Sequence, residues 1–228
     1  NVPDTNITWH MIPIDNAWMR DNGPIYVTDG TKTWIQNWKF DAWGGNYGKG
    51  VSFENDNRVP VKLAEYLGMA VEDRQDYVLE KGNLEFNGQG ILITNWDCQD
   101  HRNPGLSQAE HEAILKDAFG VSTIIWAYGH SPHDGTTGHI DGIARFMSPS
   151  SIAIVQNNPE VKDRDVENLV AACRAAGLKV IMFPGNVNWL AGNGFVLLMS
   201  SGDRANDVAS RYLLRRYMPG REVHIVDA

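Results

Sequence analysis

What most constrains this chain is a pattern met four times: two short apolar segments closed by a tight turn, a helical segment, then one more apolar segment. The first pair reads Ile25-Tyr26-Val27-Thr28, a turn at Asp29-Gly30, then Thr33-Trp34-Ile35-Gln36. The second is Leu84-Glu85-Phe86, Asn87-Gly88, then Ile91-Leu92-Ile93-Thr94. A third runs from Ile143 to Phe146, turns near Pro149 and continues through Ile152-Ala153-Ile154-Val155. The fourth turns at Asn193-Gly194 into Phe195-Val196-Leu197-Leu198. Asp-Gly and Asn-Gly suit hairpins because the tight turns that match strand twist need positive φ.

Helices and closing strands follow each pair. Ser107-Gln108-Ala109-Glu110 is a capping box, in which hydroxyl and carboxylate satisfy each other's backbone donors. It opens a helix to about Phe119, stopped by Gly120 before Thr123-Ile124-Ile125-Trp126. Asp163 to Ala176 and Asn206 to Met218 read as helices before Val180-Ile181-Met182-Phe183 and Val223-His224-Ile225-Val226, and a weaker helix is expected near Val61 to Leu67. The fold class expected is α/β, four ββαβ-like units without linker or low-complexity segment, forming one domain over residues 1–228. An ordinary α/β layer fold remains the alternative.

The repeat gives the polar residues meaning. Asp21 lies nine residues before Gly30, Glu80 eight before Gly88, His139 ten before Pro149 and Asn186 eight before Gly194. Units set round a pseudo-axis would bring these positions to one centre. His139 and Asp141, two apart in Gly138-His139-Ile140-Asp141, are expected on one strand face. Three acidic groups and an imidazole suit a small cationic substrate. Blander readings stand beside this one: an Arg20–Asp21 salt bridge, His130 and His133 on a loop, and Asn103-Pro104-Gly105 as a turn.

Composition sets outer bounds. Hydrophobic residues at 43% and charged residues at 21% describe an ordinary globular chain. A net charge of −8 argues against nucleic acid, and no apolar run is long enough to span a membrane. Two cysteines form neither a disulfide framework nor a zinc pattern, which makes the cytoplasm the expected compartment. Cys173 reads as core, and Cys98, at a strand end, as a small buried or loop cysteine, with a nucleophile as the lesser alternative. The start, Asn1-Val2-Pro3, has no initiating Met and looks trimmed, which also fits a removed signal. Oligomeric state is not legible.

The chain resembles the agmatine deiminase and bacterial peptidylarginine deiminase group of the guanidine-modifying, or pentein, superfamily. The resemblance runs from about Trp18 to the C-terminus, on several ordered blocks. These are Trp18-Met19-Arg20-Asp21-Asn22-Gly23-Pro24, Glu80-Lys81-Gly82-Asn83, His101-Arg102-Asn103-Pro104, Asp134-Gly135-Thr136-Thr137-Gly138-His139-Ile140-Asp141, Asn188-Trp189 to Gly194, and Pro219-Gly220-Arg221-Glu222-Val223. It implies a five-bladed α/β propeller, of which four blades are readable. It also implies hydrolysis of a guanidinium, agmatine being favoured, to a ureido product and ammonia. Asp21 and Asp141 would grip guanidinium nitrogens, a planar cation donating paired bonds to each carboxylate. His139 would protonate the leaving ammonia and then activate water. Glu80 would be a further acid of the pocket, and Trp18 an apolar or cation–π wall. No metal or organic cofactor is implied.

Two departures stand out. Lys81 occupies a position where many relatives have Gly. The nucleophilic cysteine of the family follows its closing strand and is expected beyond Ala228, so the catalytic domain reads as truncated at both ends. Alternatives are a peptidylarginine or arginine deiminase, an amidinotransferase, a guanidinium-binding protein or inactive fragment, and, remotely, a metal-dependent oxygenase using His139-x-Asp141 with His224.

Overall fold

In a computed structural model, residues 7–156 and 161–227 are described. Both termini singled out above, Asn1-Val2-Pro3 and Ala228, lie outside them. The chain clusters into two compact units, one ending at Lys81 and one beginning at Gly82.

The first unit holds the turn-length helix α1 (Met19–Asn22), strands β1 (Ile25–Thr28) and β2 (Thr33–Lys39), helix α2 (Val59–Leu67) and strand β3 (Val71–Val78). β1 and β2 form the expected antiparallel hairpin, Tyr26 opposite Ile35. Its turn is tied by Asp29, whose Oδ1 accepts the Thr31 and Lys32 amides at 2.8 and 2.7 Å. Those bonds hold the Asp29 carboxyl below the usual range. β3 returns parallel to β2, and α2 is the crossover a parallel pair needs. α2 starts two residues before the expected Val61, because Pro60 in its first turn has no N–H to waste.

The repeat calls for a closing strand after α2, but no apolar segment marks β3. Its middle reads Glu72-Asp73-Arg74-Gln75-Asp76, a charged run. Neighbouring side chains explain it: Glu72 Oε2 accepts from Trp34 Nε1 at 2.7 Å and Gln36 Nε2 at 3.1 Å. The Arg74 guanidinium stands 5.8 Å over the Trp38 ring. Tertiary partners here override a poor strand propensity.

The second unit repeats one motif three times. Its first copy runs β4 (Glu85–Phe86), β5 (Ile91–Asn95), α3 (Trp96–Arg102), α4 (Gln108–Phe119) and β6 (Thr123–Ala127). The next is β7 (Ala144–Ser148), β8 (Ser151–Val155), α5 (Asp163–Ala175) and β9 (Lys179–Phe183). The last is β10 (Leu190–Gly192), β11 (Phe195–Met199), α6 (Arg204–Tyr217) and β12 (Glu222–Val226). Each copy, like the first unit, is a three-stranded sheet: an antiparallel pair, then a parallel strand added across a helix. The expected α/β class of repeated ββαβ units is therefore observed. The capping box of α4 forms as read, with Gly120 as left-handed C-cap.

Two apolar clusters consolidate this unit. One joins Ile93, Ile140, Ile152, Ile154, Leu169 and Cys173, so Cys173 is core as expected. The other joins Phe183, Trp189, Val196, Leu198 and Leu214. Each such side chain contributes roughly 1.5–3 kcal/mol by leaving water. Polar staples cross between the repeats. Glu85 accepts the Phe146 amide at 2.6 Å and Arg145 Nε at 2.8 Å, while Arg145 Nη1 reaches the Trp189 carbonyl at 2.9 Å. Among the described residues no helix is long and apolar enough to cross a membrane.

Candidate active site

Trp18, Asp21 and Glu80 belong to the first unit. Asp21 sits in α1, 9% exposed, and its Oδ2 accepts from Trp43 Nε1 at 2.9 Å. Trp43 packs edge-on against Phe40, ring centroids 5.1 Å apart. Ala42 and Trp43 both take left-handed backbone conformations, φ 55° and 59°, rare for residues with a Cβ. A strained turn thus aims the indole at the carboxylate. Gly23 closes α1 where no larger residue fits, since a Cβ would collide with the Met19 carbonyl oxygen and lie 2.8 Å from Lys81 Nζ. Glu80 is buried, and Trp18 is exposed. Asp21 also lines a cavity of about 10 Å³ with Asn22, Gln36 and Trp38. That space is far below the several hundred Å³ of a ligand pocket and is a packing gap.

His139 and Asp141 belong to the second unit, where a hydrogen-bonded loop presents them. Asp134 organises it: Oδ1 accepts Thr136 N at 2.8 Å and Thr136 Oγ1 at 2.6 Å, and Oδ2 accepts Gly138 N at 2.8 Å. Arg102 braces the same loop, Nη2 donating to the Thr136 carbonyl at 3.0 Å and Nη1 to Thr137 Oγ1 at 3.2 Å. Thr137 is left-handed at φ 63°, strain that these bonds hold in place. Gly138 is required twice over: its φ is +88°, and a Cβ there would lie 2.7 Å from Asn95 Nδ2 and 2.9 Å from the Gly129 carbonyl oxygen.

One expectation needs correcting here. His139 and Asp141 do not share a strand: His139 precedes a 3-10 turn over Ile140–Gly142 that contains Asp141, and β7 begins only at Ala144. The succession of left-handed Thr137 and Gly138 turns the chain out of extended conformation just before the pair. Both side chains are nonetheless buried, His139 at 7% and Asp141 at 5% exposure.

Cys98 needs a second correction. It lies inside α3, not at a strand end, because Asn95 caps that helix by accepting the Asp97 amide at 2.9 Å. Its sulfur is within 4.8 Å of a His139 ring nitrogen. Sequence spacing gave no hint of this, since 41 positions separate the two residues. The bracing role of Arg102 was missed as well, though His101-Arg102-Asn103-Pro104 carried a visible signal. His130 lies on a loop as expected, with Nδ1 2.8 Å from Asp97 Oδ2.

A family model described as Porphyromonas-type peptidyl-arginine deiminase matches residues 1–181. The chain belongs to that family. Deimination is hydrolysis of a C–N bond, and that is the reaction class of the family. Among relatives, the agmatine deiminase of Pseudomonas aeruginosa (strain LESB58) is 37% identical over 179 residues, 76% of this chain. The matched part spans 47% of that relative's length. Among solved structures, a C. jejuni agmatine deiminase with substrate bound superposes with TM-score 0.85 at 24% identity, covering 98% of this chain and 72% of that one. The agmatine deiminase of Enterococcus faecalis gives 0.81 at 22%, covering 95% and 71%. At such identities the structures establish the pentein-type fold of this deiminase-family chain.

Proposed function

We propose that this deiminase-family chain acts on agmatine, hydrolysing its guanidinium to a ureido group with release of ammonia and N-carbamoylputrescine. The observation that carries the reading is the braced Asp134–Asp141 loop, in which left-handed backbone and a hydrogen-bond network lead into the buried His139 and Asp141. Two relatives that are named agmatine deiminases support the choice of substrate, as does the net charge of −8.

In this reading Asp21 and Asp141 take paired hydrogen bonds from the guanidinium, Trp18 offers it a π face, and Glu80 adds negative charge. A cysteine thiolate, which the family resemblance places C-terminal to the closing strand, attacks the guanidinium carbon. A C–S bond forms as a C–N bond breaks, and His139 gives the departing nitrogen its proton. The neutral imidazole then takes a proton from water as it adds to the amidino carbon, and the C–S bond breaks to leave the ureido product. Trp43 holds Asp21 in one orientation through its indole N–H. Cys98, inside α3, lies outside the position where the family resemblance places the thiolate.

Competition binding tests the substrate. Agmatine is expected to bind more tightly than free arginine and far more tightly than an internal peptidyl arginine. A preference for the peptide would move the assignment to peptidylarginine deimination, and no guanidine binding at all would remove it.

A further inference from the structure

We propose that Lys81 tunes the guanidinium site: its amine is built into the turn that presents Asp21, and its protonation state sets how strongly that turn attracts a cation. The inference rests on the reading of Asp21 as a guanidinium ligand and goes beyond it by adding a residue that controls affinity.

The geometry comes first. Lys81 Nζ donates to the Pro24 carbonyl at 3.3 Å and lies against Gly23, where even a methyl would stand 2.8 Å from it. Gly23 and Pro24 directly follow α1, which carries Asp21. The charged groups facing the amine are Arg20 and Asp21, both on α1, and Glu80 precedes it in the chain. One carboxylate is therefore flanked by two cationic side chains, and only one of these can lose its charge in the ordinary pH range. Burial, and next the Arg20 charge, lower the Lys81 amine to about 8, partly opposed by Asp21. A guanidinium arriving at Asp21 brings a further positive charge and disfavours the ammonium more. Binding should then expel a proton from Lys81, and affinity should rise with pH until the amine is already neutral.

The test is calorimetric titration of agmatine from pH 6.5 to 9, where its guanidinium and its primary amine both stay charged. The wild-type chain should gain about five- to tenfold in affinity between pH 7 and 9, the size of one screened charge–charge contact. Its binding enthalpy near pH 7.5 should vary with buffer ionisation enthalpy, reporting proton release. Lys81→Met should bind at pH 7 as tightly as wild type does at pH 9, without pH dependence. Lys81→Arg should stay weak and flat across the range, because a guanidinium does not titrate there. Trace acetylation of the wild-type amine against pH reads the same titration without any ligand, with an expected midpoint near 8. Agmatine binding with the same pH profile in wild type and Lys81→Met would overturn the inference, as would a labelling midpoint near 10.5. Absence of agmatine binding at every pH would overturn the proposed function and this inference with it. Binding with a flat profile would overturn the tuning alone.

Discussion

His111 is a buried ring whose protonation works against the folded state. It is fully buried in α4, with the Trp96 and Trp126 rings at 5.3 and 6.4 Å. Burial pushes its pKa below the usual value, against weaker opposition from Asp100 and Glu110. Between the lowered folded value and the unfolded value near 6.5, the unfolded chain binds more protons. Stability should therefore fall as pH drops below about 6.5. His111→Phe, which keeps a ring against the indoles, should flatten that decline in urea midpoints taken from pH 7.5 to 5.5; parallel profiles would show that His111 is not responsible. At this scale the sequence was informative about charge-bearing motifs and silent about context. His139, Asp141 and Asp21 stand in dense polar blocks, whereas His111 sits in an unremarkable helix and acquires its character only from two tryptophans folded against it.

Helices with strong ends could be read directly, because caps are local. Ser107 Oγ accepts the Glu110 amide and the Glu110 carboxylate accepts from Ser107, a closed exchange within four residues. Ser107→Ala should cost about 1 kcal/mol in chemical denaturation, and no change would mean that water replaces the cap. Elements that depend on distant partners were not legible: β3 needs Trp34, Gln36 and Trp38, and α3 is too short to show a periodic face. The Gly138 turn is the element on which the candidate site depends. Gly138→Ala meets both a positive φ and two close contacts, so it should destabilise by roughly 1–3 kcal/mol. It should also weaken guanidine binding more than Ser107→Ala does, since only the former moves the backbone next to His139. Equal effects on binding would detach the loop from the site.

For the molecule as a whole, the fourfold period was the most legible property of all, because Asp-Gly and Asn-Gly turns and Gly-stopped helices recur at similar spacing. What no local pattern revealed is how the repeats of the second unit are joined. Glu85, Arg145 and the Trp189 carbonyl link three successive sheets, with the Arg145 guanidinium 5.6 Å over the Trp189 ring. Burial raises the Glu85 pKa even against Arg145, which marks the carboxylate as expensive to strand without its partner. Arg145→Met should thus lower stability by about 3–5 kcal/mol, and a loss below about 1 kcal/mol would mean that the sheets cohere through their apolar clusters alone. The central claim is that this scaffold serves to recognise a guanidinium through carboxylates. Titrating agmatine calorimetrically into wild type, Asp141→Ala and His139→Ala tests it most directly. The account predicts saturable binding by the wild type, binding retained by His139→Ala, and binding abolished by Asp141→Ala. Near-normal affinity in Asp141→Ala would contradict it.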